Sequence, residues 1–317
     1  MKFVEVNVEW WPQKSVLQQI ARVGRICYKS EPMMPPTDMP EEQQQKFIEE
    51  RDEKRCRGFW ESGHKSMYRH GTVYFYIKSS QKLPYWIWNF FTASPYIDYV
   101  TKDKSVWIST NMHFFCDHLK IVKLLEPYEV EEETFIQKAM EAKCPKALML
   151  LRMTLVVTTQ RIQGESYNRK SPNAIAEQST RYVNLDKKGG VMICRPHWEQ
   201  DPISAFRKGK DDKPLRFLKF RAVTARWASH FGYWVAEKVY KYLMWCGLTP
   251  QDARGNLTFN TYTICGYTYS LNEWRYIMDM RLRNLTGVAH KDAKVVAEQI
   301  SDIINNRMKQ YIPDFEI

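Results

Sequence analysis

The chain of 317 residues lacks a Cys-x-x-Cys pair, a basic tail, an internal repeat and any apolar run long enough to cross a bilayer. Its seven cysteines (Cys27, Cys56, Cys116, Cys144, Cys194, Cys246 and Cys265) are odd in number and far apart. That spacing argues against a disulfide framework and a zinc ribbon, and it suits a reducing cytoplasm. The opening Met1-Lys2-Phe3-Val4-Glu5-Val6 alternates like a strand and lacks the basic-then-apolar layout of a secretion leader. With no membrane-spanning run, the expectation is a soluble cytoplasmic protein without a membrane partner.

What is present is ordinary in proportion and unusual in charge. Apolar residues make up 44% and charged residues 26%, as in a soluble globular protein. The length allows one large domain or two small ones, and no linker forces a division, so a single domain over 1–317 is expected. The 11 tryptophans and 18 tyrosines suit sites that stack planar rings, although aromatics more often fill a core. The formal charge of +11 calls for an anionic partner. Lys and Arg recur near 207–213, 219–226 and 281–283 without forming a compact block. A phosphate-lined pocket is therefore favoured over nucleic-acid binding, and many of these residues simply solvate a face.

Hydrophobic periodicity outlines an α+β fold. Residues 1–10 read as a strand, and Ser15 is placed to cap a helix to Tyr28 with Val16, Leu17, Ile20, Ala21 and Val23 on its buried side. A proline-rich loop at 31–40 precedes a polar helix over 41–56, then a short helix after Gly63 and a strand over 71–77. Residues 78–145 are harder to read, with an aromatic run at 85–91, a helix over 111–124 and an acidic stretch at 126–133. Residues 148–157 belong to the core as a strand or a buried helix, with Thr154, Val156, Val157, Thr158 and Thr159 favouring strand at the end. A long polar loop over 163–179 and a basic loop at Gly189-Gly190 follow. One long helix is predicted over 215–246, with Phe217, Phe220, Ala222, Val223, Trp227 and Phe231 as its apolar stripe and Gly247 and Pro250 as its stop. Two more helices are predicted over 271–285 and 292–306.

The chemistry concentrates in Glu177-Gln178-Ser179-Thr180-Arg181-Tyr182. A carboxylate, an amide, two hydroxyls and a guanidinium stand together after a loop rich in Ser and Asn. Arg181 offers a planar fork for phosphate, and Ser179 and Thr180 add neutral donors. Backbone amides in such a turn can complete an anion nest; the same string also suits a well-bonded surface turn. No cysteine sits beside a partnered histidine in a nucleophile motif. No metal site is expected, because His113 and His118 fall on different sides of their helix.

The run from Asn168 to Tyr182 resembles the signature loop of the flavin-dependent thymidylate synthases, which reads Arg-His-Arg, a spacer, then Glu-x-Ser-x-Arg-Tyr. Three more stretches are similar in the same order: Ala21-Arg22 to Cys27-Tyr28-Lys29-Ser30; Gly63-His64-Lys65-Ser66-Met67-Tyr68-Arg69-His70-Gly71; and Gln251-Asp252-Ala253-Arg254. Trp274 to Arg281 and Ala289-His290 look more loosely like the family's closing helices. Residues 78–145 and 185–215 are poorly anchored by the resemblance and stand as insertions.

The resemblance implies a central mixed or antiparallel sheet flanked by long helices, and a homotetramer with active sites between subunits. It implies reductive methylation of dUMP to dTMP, with methylene-tetrahydrofolate and NADPH as co-substrates and FAD as cofactor. Ser179 and Arg181 would hold the nucleotide phosphate and sugar with Arg254, while Glu177 and Gln178 shape that pocket. Arg281 would face the uracil carbonyls and, with Ser179, carry the catalytic assignment. His70, Arg169, Lys170, Ser171 and His290 would lie against the flavin. The match is complete on the nucleotide side. On the flavin side, Arg169-Lys170-Ser171 replaces Arg-His-Arg, and Arg69 stands where the family has Glu. Those departures leave two alternatives: an enzyme modifying another pyrimidine deoxynucleotide, such as dCMP or by hydroxymethylation, and a non-catalytic nucleotide- or nucleic-acid-binding relative.

Overall fold

The computed structural model describes residues 2–168, 172–200 and 217–317. Its described strands are β1 (Lys2–Val4), β2 (Asn7–Trp10), β3 (Thr72–Ile77), β4 (Asp98–Lys102), β5 (Ser105–Asn111), β6 (Glu129–Val130), β7 (Arg152–Gln160), β8 (Ile175–Glu177), β9 (Met192–Cys194) and β10 (Tyr262–Ser270). They form two antiparallel four-stranded sheets, ordered β2-β7-β10-β8 and β4-β5-β3-β6, and a parallel pair of β1 with β9. The α+β architecture with antiparallel sheets and long helices is thus as expected, with the sheet divided in two. The stretch expected as one strand over 1–10 breaks after Val4, and its halves join different sheets.

Local signals explain most elements. Ser15 Oγ accepts the Gln18 amide at 3.2 Å and starts the helix Val16–Tyr28, which buries Ile20, Ala21, Val23 and Ile26. Its neighbour Glu41–Glu61 runs five residues past the expected end and buries Phe59. The two helices meet at Gly24, where an added β-carbon would lie 2.3 Å from the Phe59 ring. A reciprocal capping box between Ser270 and Glu273 opens the helix Leu271–Arg281. Residues 163–179, expected as loop, include the end of the helical turn Arg161–Ser166 and the strand β8, which forms by pairing with β10.

Residues 78–145 supply three of the second sheet's four strands, β4, β5 and β6. The aromatic run forms the short helix Trp86–Ala93, and its Ile87 and Phe91 join Phe75, Ile108, Phe114 and Leu125 in a separate apolar core. The helix expected over 111–124 is two short helices, Met112–Asp117 and Leu119–Leu125, following the end of β5. Arg152 ties the two sheets together. Its guanidinium reaches Asp98 at 2.8 Å, Ser109 Oγ at 3.1 Å and Glu273 at 3.7 Å. Burial opposes its charge, and the Glu273 and Asp98 carboxylates more than offset that cost.

The long helix Leu218–Trp245 differs from its expected setting. The predicted stripe exists, but it faces outward: Phe220, Val223, Trp227 and Phe231 are all exposed, Trp227 at 71%. Trp234, Tyr242 and Trp245 extend the face. Residues 215 and 216, the expected start of this helix, lie outside the described residues, as does 207–213. The closing helix Lys291–Met308 behaves oppositely and buries Val296, Ala297, Ile300 and Ile304. No helix among the described residues is long and apolar enough to cross a membrane.

Candidate functional site

β8 ends at Glu177, opposite Cys265 of β10, and the chain then turns outward. Gln178 N donates to Ile264 O and Ser179 N to Cys27 O, each at 2.9 Å, so both β10 and the first helix hold the turn. Ser179 Oγ accepts the backbone amides of Arg181 at 3.1 Å and Tyr182 at 3.4 Å. Its own proton can therefore point to a ligand. Arg181 Nε donates to Gln251 Oε1 at 2.9 Å, and its guanidinium lies over the Tyr182 ring at 5.4 Å. Arg254 Nη1 donates to Thr180 Oγ1 at 3.4 Å. The predicted pair Arg181 and Arg254, 73 positions apart in sequence, thus shares one neighbourhood, Arg254 bonding the residue before Arg181 and Arg181 bonding Gln251, three before Arg254. Two guanidinium groups and a serine hydroxyl at an exposed turn are the donor set that phosphate recognition requires.

Glu177 lies inward of this turn. Its Oε1 is 3.2 Å from Arg161 and accepts Thr263 Oγ1 at 3.0 Å. Burial raises its pKa, and Arg161 and Thr263 hold that rise in check. Arg161 also donates to Gln178 O at 3.4 Å. Burial, helped by the Glu177 charge, pushes the Cys27 thiol up to about 11 and raises that of Cys265 further. Neither of these cysteines is a thiolate near neutrality.

Gln178 projects away from the phosphate donors. Its buried side chain lines a cleft of about 470 Å³ between the first helix and the sheet. Arg22, Arg25 and Lys29 share one helical face there, above Val156 and Ile264. Gln178 Oε1 and Ser30 Oγ have no hydrogen-bond partner among the described residues. Of these, Arg25 was not anticipated. Its spacing from Arg22 and Lys29 was a readable signal, but the cleft needs the distant Ile264 to exist.

The turn Arg161–Ser166 connects the remaining assignments. Arg161, at its start, meets Glu177; Gln163 lies 3.2 Å from His290 Nδ1; the Ser166 carbonyl, at its end, accepts Arg281 at 2.7 and 3.0 Å. Six helical residues rise about 8 Å, so Arg281 and Glu177 approach opposite ends of the same turn.

Two of the expected flavin contacts, His70 and His290, fall among the described residues. Arg169, Lys170 and Ser171 lie outside the described residues. His70 is fully buried, with Nδ1 2.8 Å from Thr268 Oγ1. Burial pushes its pKa down to about 3, against a raising contribution from the Ile175 backbone. His290 is exposed, but its Nδ1 accepts the Asp292 amide at 3.3 Å. Arg69, the departure from the family pattern, is a bridge: it donates to His113 Nδ1 at 3.1 Å, Asn173 O at 2.8 Å and Tyr96 Oη at 3.3 Å. A glutamate could not supply these three donor contacts.

Comparison with known proteins decides the family. Residues 97–308 match the family described as thymidylate synthase complementing protein. The chain belongs to that family. The matched span contains Glu177, Ser179, Arg181, Arg254, Arg281 and His290, while the early similar stretches at 21–30 and 63–71 precede it. No curated protein sequence matches the chain. Among solved structures, a crystal structure of the UMP/dUMP methylase PolB from Streptomyces cacaoi bound with 5-Br dUMP is 13% identical, covering 100% of this chain and 98% of its own, at a TM-score of 0.44. A second, bound with 5-Br UMP, is 18% identical over 54% of this chain and 76% of its own, at 0.42.

Proposed function

We propose that this family member binds dUMP at the Glu177–Tyr182 turn and methylates C5 of its uracil. The observation that carries the reading is the pair of cross-contacts between the turn and the 251–254 segment, Arg181 to Gln251 and Arg254 to Thr180, with the Ser179 hydroxyl in the same turn. In this reading the two guanidinium groups grip the phosphate and Ser179 donates to it or to the sugar. Glu177, held by Arg161 and Thr263, keeps the turn's inner edge in place. Arg281 offers positive charge toward the base carbonyls, where charge develops as the ring is reduced.

The reagents implied by the family resemblance are methylene-tetrahydrofolate, NADPH and FAD. Among the described residues carried over to the flavin, His70 does not fit it, because it is sealed beneath Thr268, whereas His290 is exposed and bonded beside Asp292. This misfit favours a second reading, a relative that keeps the nucleotide turn and uses a different partner chemistry. Visible absorbance of the purified protein after incubation with FAD, followed by tritium release from C5-labelled dUMP with methylene-tetrahydrofolate and NADPH, separates the two. Release supports dUMP methylation. Absence of both signals, with dUMP still bound, selects the second reading.

The homotetramer belongs to the same proposal, supported by the outward face of Leu218–Trp245. A face carrying Phe220, Trp227, Phe231 and Trp234 is the kind of apolar patch that subunit contacts cover. Light scattering on Trp227→Glu is expected to show smaller assemblies than the wild type; an unchanged mass would remove this face from the interface.

A further inference from the structure

A cluster outside the nucleotide turn is built of metal-ligating side chains. His197 begins the short helix His197–Gln200, and His290 and Asp292 begin the helix Lys291–Met308. One ligand atom from each of the three lies within 4.8 Å of the others. His197 Nδ1 is 3.1 Å from Asp292 Oδ1, and His290 Nδ1 is 3.6 Å from Asp292 Oδ2. The backbone amide of His197 also donates to Oδ1 at 2.6 Å.

We propose that His197, His290 and Asp292 bind one divalent transition-metal ion, of which Zn²⁺ is the probe. Two imidazoles and a carboxylate are the ligand types that such ions take, and three protein ligands leave a position open. Around a tetrahedral ion with bonds of about 2.1 Å, neighbouring ligand atoms stand about 3.4 Å apart. His197 Nδ1 stands 3.1 Å from Asp292 Oδ1 and His290 Nδ1 3.6 Å from Oδ2, so each imidazole lies near that spacing from one carboxylate oxygen. The exposed His290 ring has room to close the remaining edge.

Two features distinguish this cluster from a pair of capping contacts. First, His290 Nδ1 accepts the Asp292 amide and lies 3.2 Å from Gln163 Nε2, so it is the unprotonated ring nitrogen, and it stands 3.6 Å from Asp292 Oδ2 with no hydrogen between them. Two electron-rich atoms facing each other are relieved by a cation between them. Second, a cavity of about 120 Å³ opens beside His197 and Asp292, lined also by Glu5, Gln200 and Gln299. That space can hold the water or oxygen ligand of the open position. The helix end disfavours a cation, and the Asp292 carboxylate in its first turn counters that field. This site is independent of the nucleotide reading, and it gives His290 a role other than flavin contact.

The test is calorimetric titration of the metal-free full chain with Zn²⁺, without nucleotide or flavin, repeated with Co²⁺ to read the ligand field. One ion per chain is expected, with affinity lowered about tenfold or more in His197→Ala, His290→Ala and Asp292→Asn, since even outer-shell losses cost that much. The exposed cysteine Cys246 can bind Zn²⁺ by itself, so the comparison with the variants is the deciding readout. His290→Ala alters an exposed ring, and its circular dichroism should match the wild type. Absence of binding, or equal affinity in wild type and His290→Ala, overturns the site.

Discussion

The two four-stranded sheets divide the labour of the molecule. The core around the second sheet is apolar, built from Phe75, Ile87, Phe91, Ile108 and Phe114. The first sheet buries Thr154, Thr159, Gln160, Thr263 and Thr268 as well as its hydrophobic residues. The second sheet's strands bury Thr72, Ser109, Thr110 and Asn111 too, so polar burial is shared and the first sheet is set apart by the turn at its edge. The Glu177–Tyr182 turn leaves the edge of that same sheet. The second sheet contributes packing, and it is joined to the first by Arg152 of β7 and by Arg69, which precedes β3.

Substitutions in the two sheets should therefore separate stability from binding. Phe114→Ala, in the second sheet's core, is expected to cost about 3–5 kcal/mol in denaturant unfolding. The folded fraction should still bind dUMP; lost affinity in that fraction would blur the division. Arg181→Ala and Arg254→Ala should each weaken dUMP binding by about ten- to a hundredfold, the size of a lost charged hydrogen bond, with thermal melting nearly unchanged. Unaltered affinity in both would remove the phosphate from this turn.

A smaller effect comes from His70 of the first sheet's buried network. Its pKa is depressed from 6.5 to about 3 by burial, so the unfolded chain binds the proton more readily. Its contribution is fully present above about pH 6.5 and is lost as pH falls toward 3, on the order of a few kcal/mol in all. His70→Asn should flatten the stability profile in that window, and an unchanged slope would contradict the sealed histidine. Least of all, Lys138→Ala removes only an exposed pair with Glu141 and should leave melting and binding alike unaltered.

What the sequence shows depends on how far apart the partners lie. The Ser15 cap acts over three residues and reads directly, as does the contiguous Glu177–Tyr182 string. Arg181 and Arg254 were paired only through the resemblance. The contacts of Arg69 with His113 and of Arg161 with Glu177 join positions 44 and 16 apart, and no local pattern announces them. His197 and Asp292 are 95 positions apart, so their cluster was invisible to a search for metal-ligand spacing. The stripe on Leu218–Trp245 was legible as a stripe, but periodicity reports that a face is apolar without saying what covers it.

Gly24 extends the site's reach. Any side chain there collides with the Phe59 ring and pushes the first helix away from its neighbour. That helix carries the Cys27 carbonyl, which holds the Ser179 amide and with it the turn. In a saturation screen for activity, position 24 should accordingly score with the ligand-touching arginines, although it meets no ligand. A residue without a side chain would behave as a hinge pin for the nucleotide pocket.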